Sequence, residues 1–164
     1  MNVSKLKIDA FDKMIISELQ KDARLSSADL AERVSLSTSP CWRRVKRLED
    51  LEIIQGYHAR IDYGKLGYAI SALVQITLSE KDILHMDAFE RAVLAFEEVV
   101  TCHCISGTYD YQLMIIARDL NSFAEFMRRN INAFVGVKDV CTSFIMREVK
   151  AAIPASIHNA LPDL

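Results

Sequence analysis

The sequence predicts an α+β chain in two parts, three short helices followed by a βαββαβ unit. Three observations carry this. Apolar residues recur every three to four positions up to about residue 51, they alternate from Ile70 onward, and three of the five glycines, Gly56, Gly64 and Gly67, fall between the two regimes. The expected organisation is a helical domain over 1–54, a linker over 55–68, a βαββαβ domain over 69–150 and a tail over 151–164.

In the first part, Ile8, Phe11, Ile15 and Leu19 form one stripe of a helix, with Asp9 as N-cap. Ser26-Ser27-Ala28-Asp29 sets a hydroxyl three residues before a carboxylate, the arrangement of a capping box, and opens a short helix carrying Leu30, Ala31 and Val34. After Ser35-Leu36-Ser37 a third helix fits Thr38 to Leu51. Ser37 is its N-cap, and Pro40 sits in the first turn, where a missing N–H costs nothing.

In the second part, Ile70, Ala72, Val74, Ile76 and Leu78 alternate with Ser71, Gln75 and Thr77, which describes a half-buried strand. A helix with Met86, Phe89, Val93 and Phe96 follows, then strands over Val99 to Ser106 and Tyr111 to Ala117, joined through Gly107-Thr108-Tyr109-Asp110. A helix with Phe123, Phe126, Met127 and Ile131 leads through Gly136 to a last strand from Val137 to about Glu148. This order is that of the ferredoxin-like fold, a four-stranded antiparallel sheet with both helices on one face.

Composition narrows the function classes. Hydrophobic residues make up 51% and charged residues 26% of 164, with only five Gly and three Pro, so the chain builds a core and is not a low-complexity segment. The longest uncharged apolar stretches, such as Ala69 to Ser79, are too short for the roughly 20 residues of a membrane helix. The opening MNVSKLKIDAFDK lacks the apolar block of a signal peptide, which makes the cytoplasm the expected compartment. Cys41, Cys102, Cys104 and Cys141 are too scattered for a disulfide framework or a structural zinc site, and His58, His85, His103 and His158 form no pair at ligand spacing, so no metal and no cofactor is expected. Phosphate loops, nucleophile elbows and paired catalytic carboxylates are all missing from the sequence, which argues against an enzyme.

The net charge of −2 hides an asymmetry: residues 1–60 carry 11 Lys/Arg against 9 Asp/Glu, while residues 61–164 carry 9 against 13. Thr38 to Arg47 hold four basic groups and no acid. At about 100° per residue, Cys41, Val45 and Leu48 face inward, while Ser39, Arg43, Lys46 and Arg47 lie opposite. Trp42 sits on the boundary. Arg44 leans toward the core edge, where its stem covers apolar surface and its guanidinium reaches outward. A short helix, a three-residue turn and a second helix with this outward face make a winged or three-helix helix-turn-helix, which reads the DNA major groove by the N-terminal end of its second helix. The expected DNA-binding set is Ser37, Thr38, Ser39, Trp42, Arg43, Arg44, Lys46 and Arg47. The competing reading is a ferredoxin-like small-molecule or protein-binding module whose helical head contacts protein, and the acid-free basic window argues against it.

The segment IDAFDKMIISELQKDARLSSADLAERVSLSTSPCWRRVKRLEDLEIIQGYHARID resembles the amino-terminal half of the leucine-responsive/asparagine regulator (Lrp/AsnC) family, and SGTYDYQLMI resembles the glycine-and-aspartate turn of that family's amino-acid-sensing domain. The resemblance runs from about Ile8 to Lys150 and implies a transcription regulator that binds double-stranded DNA. It further implies a homodimer built through the βαββαβ domains, commonly assembled into an octamer, and an amino-acid effector bound near Gly107, Thr108, Tyr109 and Asp110. Taken alone, those four residues are also what a plain hairpin requires. Ser35 and Glu52 stand where the family usually has glycine. A non-glycine residue in a left-handed cap costs roughly 1 kcal/mol, so either the helix ends shift or the strain is accepted.

Overall fold

The structure is a computed structural model and describes residues 8–150. The tail proposed for 151–164 lies outside the described residues. Two compact units are present, one holding residues 8–60 and the other Ile61–Val149.

The first unit has three helices, α1 (Ala10–Lys21), α2 (Ser27–Arg33) and α3 (Thr38–Asp50). Asp9 caps α1 in a full capping box, its side chain accepting from the Asp12 N–H at 3.0 Å while the Asp12 carboxylate accepts from the Asp9 N–H at 3.1 Å. The sequence places the box at Ser26 instead. There Ser26 Oγ does accept from the Asp29 N–H at 3.1 Å, but the Asp29 carboxylate accepts from the Ser26 hydroxyl at 2.7 Å, not from the Ser26 backbone N–H. Ile15, Leu30, Ala31, Val34, Cys41 and Leu48 form the core of this unit.

Both helix ends that lack glycine keep their geometry and accept the strain. Ser35 and Glu52 have φ of 55° and 56°. Leu36 N–H donates to Ala31 O and Ser35 N–H to Glu32 O, while Ile53 N–H donates to Leu48 O and Glu52 N–H to Glu49 O. Each pair of bonds makes a Schellman motif, and Ile53 seals the second by packing on the core cluster. Glu52 is exposed, so Glu52→Gly should relieve the left-handed strain and raise head stability by about 1 kcal/mol, checked by urea denaturation. A drop in stability would show that the Glu52 side chain offsets the strain.

The second unit has β1 (Ile70–Leu78), α4 (Ile83–Val93), β2 (Val99–Cys104), β3 (Tyr111–Ala117), α5 (Leu120–Phe126) and β4 (Val137–Phe144). All strand pairs are antiparallel and the spatial order is β2-β3-β1-β4, the expected βαββαβ sheet. Ala72, Val74, Ile76 and Leu78 of β1 are buried with Phe89, Val93, Phe123, Phe126, Met127 and Ile131.

Four expectations change. α4 ends at Val93, so Phe96 lies beyond the helix while still packing against the core. β2 stops at Cys104, because Ile105 N–H turns to Asp110 O and closes the β2–β3 connection. β4 stops at Phe144, not near Glu148: Phe144 pairs with Ala72, Ile145 N–H still reaches Ser71 O, and β1 has almost no residues left beyond that point. Finally, α5 widens into a π-type turn over Met127–Ile131, with Asn132 N–H donating to Met127 O at 2.8 Å, and both ends of that turn are buried.

Candidate nucleic-acid interface and effector turn

The inward stripe of α3 is as expected, with Cys41 and Leu48 buried and Val45 packed against the same cluster. Burial pushes the Cys41 thiol pKa up, against the pull of the nearby Arg44 charge, which keeps it an inert core thiol. Ser37, Thr38, Ser39, Trp42, Arg43, Lys46 and Arg47 are exposed, and Trp42 shows 56% of its surface.

The N-terminus of α3 differs from the others. Asp9, Ser26, Asp82 and Asp119 each cap their helix with a side-chain acceptor, whereas Ser37 has the cap backbone conformation (φ −77°, ψ 156°) and makes no side-chain capping bond. With no acid in the first turn and Pro40 lacking an N–H, the Thr38 and Ser39 amides and the helix dipole stay unopposed at this end.

The four basic side chains of α3 are not equivalent. Arg43 makes no ion pair with another described residue. Lys46 reaches Asp50 at 3.2 Å and Glu49 at 3.7 Å, and the Asp50 contact leads in holding its pKa above the usual lysine value. Arg47 lies 3.5 Å from Asp12. Arg44 corrects the sequence reading: its guanidinium does not reach outward but lies on α1, with Nη1 2.7 Å from Asp9 Oδ2 and 2.8 Å from Asp12 Oδ1, over the Phe11 ring at 5.4 Å. Asp12 is 0% exposed. Its hydrogen bond leads in raising the Arg44 pKa; for Asp9, desolvation is outweighed by the Asp12 N–H and Arg44, so that carboxyl stays below its usual range. No sequence period could pair Asp12 with a residue 32 positions away.

In the second unit the turn at Gly107 is left-handed, with φ 127° and open space where a Cβ would stand. Of the four expected effector residues, Asp110 lines a cavity beside the turn. That cavity, about 170 Å³, is walled by Leu78, Lys81, Met86, Cys104, Ile105 and Asp110. Gly107 and Thr108 are exposed on the turn, and the Tyr109 phenol hydrogen-bonds the Cys141 thiol, which raises its pKa. Asp110 is already engaged: Oδ2 accepts from Leu78 N–H at 2.9 Å and Oδ1 meets Lys81 Nζ at 2.7 Å. Burial works against its ionisation, but the Lys81 and Leu78 contacts prevail and lower its pKa. With a folded pKa below the unfolded one, its contribution to stability is present above the ordinary carboxylate range and is lost as pH falls through the lowered value. Lys81, Met86 and Cys104 carry no sequence signal that places them here. Leu113, on β3 just past the turn, is fully buried in the core.

Glu80, Asp82 and His85 gather at the start of α4. Asp82 is engaged there in capping, accepting from the His85 N–H at 3.0 Å and lying 2.7 Å from its ring Nδ1. Among the described residues no helix is long and apolar enough to cross a membrane.

Residues 8–55 match the winged helix-turn-helix DNA-binding model and residues 71–154 the Lrp/AsnC ligand binding domain. The leucine-responsive regulatory protein of Escherichia coli is 37% identical over 143 residues, covering 87% of each chain. Among solved structures, a transcriptional regulator of Neisseria meningitidis in complex with L-Met is 31% identical with a TM-score of 0.87, covering 94% of this chain and all of that one. An AsnC family transcriptional regulator of Agrobacterium tumefaciens is 32% identical with a TM-score of 0.84, covering 93% and 99%. These relatives are regulators, not enzymes, and the chain belongs to the Lrp/AsnC family of DNA-binding transcription regulators with a ligand-binding domain.

Proposed function

We propose that the chain is a cytoplasmic regulator that reads DNA through α3 and answers to a free amino acid bound beside Asp110, working as a two-fold homodimer that assembles further to an octamer. The observation that carries the DNA reading is the N-terminal end of α3, where an uncapped dipole, three hydroxyls and Arg43 stand together on an exposed surface. Backbone amides and hydroxyls there meet phosphate, and the Arg43 fork meets a phosphate or guanine O6/N7. Lys46 and Arg47 reach phosphate by giving up intramolecular contacts, so their substitution costs less than that of Arg43. A pair of heads on a symmetric operator adds the second half-site that tight binding requires. Arg43→Ala should lose about 1–3 kcal/mol on the operator, measured by fluorescence anisotropy. A folded Arg43→Ala variant that binds as wild type removes this assignment.

The L-Met complex of the Neisseria relative supports an amino-acid effector. Here the Lys81–Asp110 pair provides complementary charges for a zwitterion. An α-carboxylate meets the Lys81 ammonium, an α-ammonium meets Asp110, and Leu78, Met86 and Ile105 leave an apolar wall for the side chain. One internal ion pair is exchanged for two. An apolar or small amino acid therefore fits better than a charged one. Simple truncation of Asp110 would also strand the Leu78 N–H, so Asp110→Asn is the cleaner probe. It should weaken binding by about 1.5–3 kcal/mol, the worth of a hydrogen bond to a charged group. Titration calorimetry with the twenty amino acids, with light scattering to follow assembly, tests this. Wild type that binds none at millimolar concentration, or that scatters as a monomer, overturns it.

A further inference from the structure

The carboxylate of Asp12 is the only charged side chain that is fully buried among the described residues, and it sits directly behind the helix that meets DNA. Each of its oxygens is occupied. Oδ2 accepts from the Asp9 N–H and lies 3.5 Å from Arg47, while Oδ1 accepts from Arg44. With Asp9 on the other side of Arg44, two carboxylates face two guanidinium groups, and the cluster is neutral although α3 itself is strongly basic. Arg44 lies one residue from Arg43, and its guanidinium is turned inward onto these carboxylates and the Phe11 ring.

We propose that Asp12 is a specificity-determining positioning residue: it withholds Arg44 from the DNA and restrains Arg47, so that Arg43 alone projects without a competing internal carboxylate. This rests on the reading that α3 meets DNA. Cations contribute to affinity for any duplex through phosphate, whereas sequence is read by the few side chains that reach base edges. Holding two guanidinium groups on a buried anion therefore lowers sequence-independent attraction without removing a reading group. An isosteric amide neutralises the carboxylate in place, keeps the volume and the acceptor for the Asp9 N–H, leaves Arg44 with Asp9 as its one carboxylate partner in the cluster, and removes the Asp12 charge from beside Arg47.

The experiment compares wild type with Asp12→Asn on two duplexes, an operator selected by the wild-type chain from a random library and a scrambled duplex, across a salt series. Asp12→Asn should bind the scrambled duplex roughly three- to tenfold more tightly near 0.1 M salt and steepen its log–log salt slope by about one unit per head, while the operator-to-scrambled ratio falls. A carboxylate that serves only the fold would instead lower both affinities together with unchanged slopes. A folded Asp12→Asn with wild-type slope and ratio overturns the inference, and so does the same shift in Glu32→Gln, which changes net charge equally on the exposed face of α2. If Asp12→Asn does not fold, Asp9→Asn decides. Asp9 is the exposed partner of the same guanidinium, and its loss should move the slope in the same direction by less; no movement overturns the proposal. Wild type that binds no duplex fails the DNA reading itself, and an Arg43→Ala effect with no Asp12→Asn effect fails this inference alone.

Discussion

Arg44→Met is expected to destabilise the helical head by about 3–5 kcal/mol, because it leaves a fully buried carboxylate without its closest cation. Arg47, at 3.5 Å from the same carboxylate, moderates the loss toward the lower end of that range. Methionine keeps much of the apolar stem but not the guanidinium over Phe11, so the loss reports the charge interactions with the cation–π contact included. Trp42 is the one tryptophan of the chain and lies on α3, so urea denaturation followed by its fluorescence reads this unit. Adding Asp12→Asn to Arg44→Met should recover part of the loss, since the uncompensated anion is then gone. An Arg44→Met midpoint within about 0.5 kcal/mol of wild type would mean that the cluster contributes nothing to stability.

Phe89→Ala is expected to cost the ligand-binding unit about 3–5 kcal/mol. Phe89 is buried between Tyr111 at 4.8 Å and Phe134 at 5.5 Å between ring centroids, and it sits on α4 against the β1 face of Ala72 to Leu78. Removing the ring opens a cavity that the rigid aromatic neighbours fill poorly. It also loosens the helix that carries Met86 into the cavity beside Asp110 and Glu90 onto the Tyr111 hydroxyl at 2.8 Å. The amino-acid response should therefore weaken along with stability. Far-UV circular dichroism in urea, paired with calorimetry, checks both. Retention of wild-type stability would show that the unit collapses around the lost ring.

How much of this was legible in the sequence follows from the range of each interaction. Helix starts at Asp9, Ser26 and Ser37 and the strand face of β1 come from spacings of two to four residues, and the backbone adopts them where the pattern places them. Strand ends were less legible. Where β4 stops depends on how far β1 extends beside it, and where β2 stops depends on a turn closed by Asp110. Resemblance to the family supplied the glycine positions, and the structure shows Ser35 and Glu52 in the same left-handed conformation without glycine. Two Schellman bonds and the packing of Ile53 hold that geometry, and those belong to the folded chain.

Site residues divide along the same line. The sequence by itself determined which face of α3 is basic and that Asp110 stands in a turn, because both are local facts of period and composition. Only the tertiary structure decided which of those charges are spent. Arg44 is withdrawn by carboxylates more than thirty positions away, and Asp110 is met by Lys81 from the connection between β1 and α4. A charge becomes available or withheld according to its nearest opposite charge and its distance from water, and in a folded chain both are set by packing between segments that the sequence keeps far apart.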